Sequence, residues 1–266
     1  MSNTHAAEPP VPAARVASVP LLGVLGGMGP LATVDFLGKL IGLTRARRDQ
    51  EHIPTIVSSD PRLPDRSEAI LNRREQTVQS ELQARVDRLL AAGATAIAVP
   101  CNTAHHWMDR LDVPRHVRVL HIADATIELL QQSVAAGGNV AILATPATLA
   151  VGMYQQRLSA AGYDALVPPP NIVNGSVLPA IHAAKAGDVR AARDHLTATR
   201  QWMAHAHTDA CLLACTELPL ARDWSGNMRP MAIDTTLALA HACLRWWQGQ
   251  TNGEAMAAAA PAPLQP

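Results

Sequence analysis

The sequence predicts an α/β fold with mostly parallel strands, built as two copies of one unit. Two observations carry that prediction. Short apolar runs alternate with longer stretches of helical period along the 266 residues, which is the pattern of βα units. Three landmarks also recur in the same order: VLGGMGPLAT with AILATPATLA, AIAVPCNTA with CLLACTELP, and VLHIADATIELL with RPMAIDTTLALA. The offsets are nearly constant, 118 residues from Leu25 to Leu143, 114 from Cys101 to Cys215 and 110 from Asp124 to Asp234, as an internal repeat requires.

Each element has its own signal. LLGVLGG (21–27) reads as a buried strand entering a Gly-rich turn. Pro30 suits the first turn of the helix that follows, whose apolar face is expected to carry Phe36, Leu37, Leu40 and Ile41. Val78, Leu82, Val86, Leu89 and Leu90 recur at three and four and predict a helix over about 68–92. Gly93 stops it and TAIAVP follows as a strand. The same grammar returns with NVAILA (139–144) as strand, TPATLAVGMYQQRLSAAG as helix and YDALVPP as strand. Helical stretches near 175–186 and 188–206 then lead to strand DACLLA (209–214), a short strand in MAIDT (231–235) and the closing helix TLALAHACLRWW. The linear order suggests a first unit of 20–121 closed by a C-terminal return at 229–249, and a second unit of 122–228.

Composition narrows the function. Apolar residues are 48%, charged 17% and aromatic 3% with a single Phe, so the core must be built from Ala, Leu, Val and Ile. Lys plus Arg equals Asp plus Glu at 22 each, which gives no electrostatic reason to expect nucleic acid or an anionic membrane as partner. No stretch approaches the roughly 18 consecutive apolar residues of a membrane span. Residues 1–19 lack a basic start followed by an apolar run, so they do not read as a secretory signal. They and residues 250–266, both rich in Ala and Pro, read as disordered tails. A cytoplasmic setting with reduced thiols is the expectation for the four cysteines, Cys101, Cys211, Cys215 and Cys243.

Cys101 and Cys215 occupy matched positions in the repeat, each where an apolar strand ends, each with Thr within two residues. Ligands in open α/β sheets bind beyond the carboxyl ends of the strands, so two facing units would set the two cysteines on opposite walls of one cleft. A thiolate on one wall and a thiol on the other can remove an α-proton and return one from the opposite side. Inverting a stereocentre needs that symmetry. Cys211, within a strand, and Cys243, on an apolar helix face, read as packing. Cys101 and His105 lie four apart with no Cys-x-x-Cys or His-Glu-x-x-His beside them, which argues against zinc. GVLGGMGPLAT fits neither the dinucleotide pattern G-x-G-x-x-G nor a phosphate-binding P-loop.

At these motifs the chain resembles the aspartate/glutamate racemase superfamily, and within it the aspartate racemase branch. The marks are GVLGGMGPLAT (23–33), SSDPRLPDRSEAIL (58–71), VPCNTAHHW (99–107), LATPAT (143–148), IHAAKAGD (181–188) and LACTELPL (213–220). The resemblance implies two pseudo-symmetric, Rossmann-like (flavodoxin-like) α/β domains with parallel sheets, an active site between them, no pyridoxal phosphate or other cofactor, no metal, and a homodimer. It implies that Cys101 and Cys215 are the two catalytic bases, one for each enantiomer. Asn102, Thr103 and Thr216 match positions that hold the substrate's α-amino and α-carboxylate groups, and Thr145 and Thr148 match the second half's threonine turn. Arg66 and Lys185 match cations that bind a side-chain carboxylate, and Met28 belongs to the loop that lines the pocket. The expected reaction is cofactor-independent interconversion of L- and D-aspartate, with glutamate as the neighbouring substrate. Its rivals are a racemase of another amino acid, a malonate decarboxylase or isomerase on the same scaffold, and a non-catalytic protein that binds an acidic metabolite. Glu217 and His105 lie inside the motifs without an assigned step.

Overall fold

A computed structural model describes residues 20–221 and 230–258, with side chains through residue 250. The first half runs β1 (Leu22–Gly26), α1 (Pro30–Thr44), β2 (Thr55–Ser59), α2 (Arg66–Leu71), α3 (Glu75–Ala91), β3 (Ala96–Ala98), α4 (His105–Met108) and β4 (Arg118–Leu120). After α5 (Ile122–Gln131) come β5 (Asn139–Leu143), α6 (Pro146–Val151), α7 (Met153–Ala160), β6 (Asp164–Leu166) and α8 (Pro170–Ile172). Then follow α9 (Leu178–Lys185), α10 (Val189–His195), α11 (Thr197–His205), β7 (Ala210–Leu213), β8 (Met231–Asp234) and α12 (Thr235–Ala258).

The strands form two four-stranded sheets in the same order, β2-β1-β3-β4 and β6-β5-β7-β8, and every pairing is parallel. The repeat read from the sequence is therefore a repeat of topology. Alternate residues of the central strands feed opposite faces, as a pleat demands. In β1, Leu22 and Val24 pack with Phe36, Leu40, Leu239 and Cys243, whereas Leu25 packs with Val78, Leu82, Val86 and Leu89 of α3. In β7, Leu212 packs with α5 and α7, and Cys211 and Leu213 pack with α9 and α10.

The two halves exchange their closing helices. α5, which follows β4 of the first sheet, puts Ala123, Ile127 and Leu130 into the core of the second. α12, which follows β8 of the second sheet, puts Leu239, Ala240 and Cys243 into the core of the first. The sequence placed 229–249 with the first unit. The return begins at α12 instead, because Ala210–Leu213 pairs with Met231–Asp234 and so keeps β8 in the second sheet.

Other expectations shift locally. The helix expected over 68–92 is two helices, broken where Arg73 takes a left-handed φ of 55°. That expected over 145–162 is likewise two, broken at Gly152 with φ 76°, a conformation glycine adopts at little cost. Phe36 and Leu40 are buried as expected, but Ile41 is 58% exposed. β2 was not expected; it is an outer strand with no buried residue. The closing helix continues to Ala258, beyond the expected tail boundary at 250, through Ala-rich sequence that favours helix. Residues 1–19 and 259–266 of the expected tails lie outside the described residues.

Candidate active site

In both sheets the chain crosses to opposite sides at the central pair, β1 with β3 and β5 with β7. Such switch points leave a crevice at the carboxyl ends of the strands. The loops after β1, β3, β5 and β7 meet over one cavity of about 310 Å³, its open mouth included. Met28, which follows β1, and Cys101, Asn102 and Thr103, which follow β3, line it from the first half. Thr145, after β5, and Cys215, Thr216 and Glu217, after β7, line it from the second. The start of α2 adds Asp65, Arg66 and Ser67, and the last residue of α9 adds Lys185. Nine of the ten residues singled out in the sequence thus share one cavity. The tenth, Thr148, stands behind the wall, its hydroxyl bonded to Thr103 Oγ1 at 2.8 Å and to Thr145 Oγ1 at 3.0 Å.

Both cysteines are free and nearly buried, 5% exposed for Cys101 and 7% for Cys215. Their surroundings differ. Cys215 Sγ donates to Glu217 Oε2 at 3.1 Å. Burial first, then the Glu217 carboxylate, pushes the Cys215 thiol well above its ordinary pKa, with Lys185 opposing. Cys101 has no carboxylate two residues on, because Thr103 stands there.

The polar groups between the cysteines are held by bonds across the cleft. Asn102 Nδ2 donates to Thr235 Oγ1 at 3.1 Å, and Thr235 Oγ1 donates to Leu213 O at 3.0 Å. Tyr154 OH donates to Asn102 Oδ1. The Asn102 amide is thus fixed at both ends by the second half. The Thr103–Thr148–Thr145 hydroxyl chain makes a second tie.

Among the described residues Arg66 has carbonyl partners only: Nη1 donates to Leu63 O at 3.3 Å and Pro64 O at 3.1 Å, and Nη2 to Met28 O at 3.4 Å. Its neighbour Asp65 caps α2 by accepting from Glu68 N at 2.9 Å. Among the described residues neither Arg66 nor Lys185 has an ion pair. Two cations without carboxylate partners face one cavity, an arrangement suited to an anionic ligand.

His105 lies behind Cys101. Its Nε2–H donates to Val99 O at 3.0 Å and its ring packs on His121 at 4.4 Å. Burial, with His121 and Arg157 adding, holds its pKa well below the usual histidine value, so the ring is neutral. Among the described residues no three His, Cys, Asp or Glu side chains converge to hold a metal ion.

Sequence reasoning assigned no role to Glu217, Asp65 or Ser67. The signal for Glu217 was its place in the repeat, two residues after the second cysteine where Thr103 follows the first.

Comparison with known proteins agrees with this geometry. A family model described as Asp/Glu/Hydantoin racemase matches residues 25–243. The chain is 26% identical over 227 residues to the broad specificity amino-acid racemase RacX of Bacillus subtilis, covering 83% of this chain and 95% of that protein. Among solved structures it is similar to the aspartate racemase of Picrophilus torridus, with 32% identity, 86% of this chain and 95% of that one covered, and a TM-score of 0.76. It shares its fold with a glutamate racemase, RacE1, of Bacillus anthracis, at 18% identity and a TM-score of 0.62 over 88% of this chain and 83% of that one. With two strand-end cysteines facing one polar cavity and a family match that spans both sheets, the chain belongs to the Asp/Glu/hydantoin racemase family and is an amino-acid racemase, hence an isomerase.

Proposed function

We propose that the protein interconverts L- and D-aspartate by a two-base proton transfer between Cys101 and Cys215, without a cofactor. The observation that carries this reading is the convergence of both thiols with Arg66 and Lys185 on one cavity. One cysteine removes the α-proton while the other protonates the opposite face. Arg66 and Lys185 bind the side-chain carboxylate, which selects acidic over neutral amino acids. Thr103, Thr145 and Thr216 offer hydroxyls, and Asn102 its amide, to the α-carboxylate and the charge that builds on it in a nearly dry cleft. Met28 closes the pocket against water, and Thr148 keeps the threonine hydroxyls in place. Glutamate fits the same charge pattern with one more methylene and is the second substrate of the reading. A cytoplasmic homodimer belongs to it as well, resting on the family resemblance; a solution mass of twice the 28.2 kDa chain would support the dimer.

The test is turnover by purified protein, followed by chiral chromatography of L- and D-aspartate and L- and D-glutamate, with alanine as a neutral control. Racemisation of the acidic pair is expected, lost by about 10²–10⁴-fold in Cys101→Ser and in Cys215→Ser. Arg66→Gln is expected to raise KM for aspartate about tenfold or more, the worth of a charged hydrogen bond. Equal turnover of alanine and aspartate would contradict the assignment of Arg66 and Lys185. Decarboxylation of a malonate without racemisation would overturn the reaction itself.

A further inference from the structure

The racemase reading treats the two cysteines as equivalents, but the second has a buried acidic neighbour that the first lacks. Glu217 is 2% exposed. Its Oε2 accepts from Cys215 Sγ at 3.1 Å and from Thr216 Oγ1 at 3.4 Å. Its Oε1 is buried with no hydrogen-bond partner among the described residues. That oxygen lies against Gly29, so close that a Cβ there would stand 3.2 Å from it. Gly29 is the N-cap of the 15-residue helix α1, whose positive end favours a carboxylate. The Gly-Gly-Met-Gly turn and the Cys-Thr-Glu motif are therefore in contact, and glycine at 29 makes room for the acid.

We propose that Glu217 is a positioning residue of the site, whose carboxylate holds the proton on Cys215 and so makes Cys101 the base of the resting enzyme. This rests on the two-cysteine racemase reading. An ionised carboxylate only accepts, so its short contact to Sγ needs the thiol. In one direction the Cys101 thiolate takes the α-proton, and the carbanion takes the proton of the Cys215 thiol. The product state holds a Cys101 thiol and a Cys215 thiolate 3.1 Å from Glu217. Repulsion between those two anions drives the site back to the resting form by proton exchange with water. The other enantiomer must wait for the disfavoured Cys215 thiolate. Because enantiomers are equal in energy, kcat/KM is the same in both directions, and the asymmetry appears as kcat and KM differing together. The other charged or titratable groups lining the cavity are Lys185 from α9, Asp65 and Arg66 from α2, and Cys101.

The test is the pH dependence of iodoacetamide labelling of the full-length protein without substrate, with each cysteine peptide followed by mass spectrometry. Cys215 in the wild type is expected to label with a midpoint above the ~8.5 of an ordinary thiol. Glu217→Gln is expected to label Cys215 at least tenfold faster at pH 8 and to narrow the kcat difference between enantiomers. Glu217→Asp, which keeps the charge, is expected to stay slow. A wild-type midpoint at or below ~8.5, or the same midpoint in Glu217→Gln, overturns the proposal. Labelling of buried Cys211 and Cys243 reports an unfolded variant, in which case the wild type and Glu217→Asp decide. Labelling needs no turnover, so a raised midpoint without racemisation would sink the racemase reading and leave Glu217's hold on the thiol intact. Racemisation with an ordinary midpoint would sink only the role of Glu217.

Discussion

Cys101 is positioned by a residue that never reaches the cavity. His105 is 3% exposed, and its ring nitrogen holds Val99 O just upstream of the cysteine. Because its pKa is well below the ordinary value, the folded state stays neutral while the unfolded chain takes a proton near pH 6.5. The unfolded state therefore binds more protons below that pH, and stability falls as pH drops from about 6.5 toward the folded value. His121 is shifted in the same direction, by burial first and then Arg157. Denaturant unfolding is expected to show a loss of about 1 kcal/mol between pH 6.5 and 5.5 for one such group. His105→Gln, which keeps a donor for Val99 O, is expected to flatten that slope; an unchanged slope would assign it to other groups.

At the scale of elements, α2 delivers Arg66 to the cavity, and Asp65 starts it. Asp65→Ala is expected to cost about 0.5–2 kcal/mol in thermal or urea unfolding and to raise KM with it. Asp65→Asn, which also caps, should leave stability nearly unchanged. If instead the two variants behaved alike, the charge of Asp65 would be its contribution and not its cap. The elements most legible in the sequence were those with a complete signal. β1, β3 and β7 are buried throughout and β5 nearly so, so each showed as an apolar run. β2 has no buried residue and β4 carries exposed Arg118, so neither stood out from loop. The breaks at Arg73 and Gly152 were hidden because apolar periodicity continues across them, and a left-handed residue other than glycine leaves no mark in a sequence.

For the molecule as a whole, the linear order set a C-terminal return with the first unit and residues from 122 with the second; α12 packs in the first core and α5 in the second, while β8 stays paired with β7, a partner that only tertiary contact fixes. Equivalent ion pairs bind the exchanged segments. Lys39 of α1 bonds Asp234 at 2.5 Å, and Arg157 of α7 bonds Asp124 at 2.6 Å. Lys39 also pairs with Asp35 and donates to Thr236 Oγ1 at 2.7 Å, so it ties α1 to the point where the chain returns to the first half. Lys39→Met would leave two mostly buried carboxylates facing each other, and is expected to cost about 1–3 kcal/mol while lowering racemisation by loosening the cleft. A variant as stable and active as wild type would show that α1 and α12 are held by their apolar contacts alone. The family resemblance pointed to ten site residues, nine of which line one cavity. Which hydroxyl lies behind the wall, and which thiol faces an acid, depend on side-chain directions that spacing does not encode.

The two-base transfer is tested most directly by racemising L-aspartate in deuterium oxide and stopping early. The account predicts that the first D-aspartate formed carries deuterium at Cα while the remaining L-aspartate does not, because the removed proton stays on one cysteine and the other supplies a solvent-derived deuteron. D-aspartate that retains the original proton, or deuterium appearing equally in both enantiomers from the start, would point to a single base and contradict the opposed roles of Cys101 and Cys215.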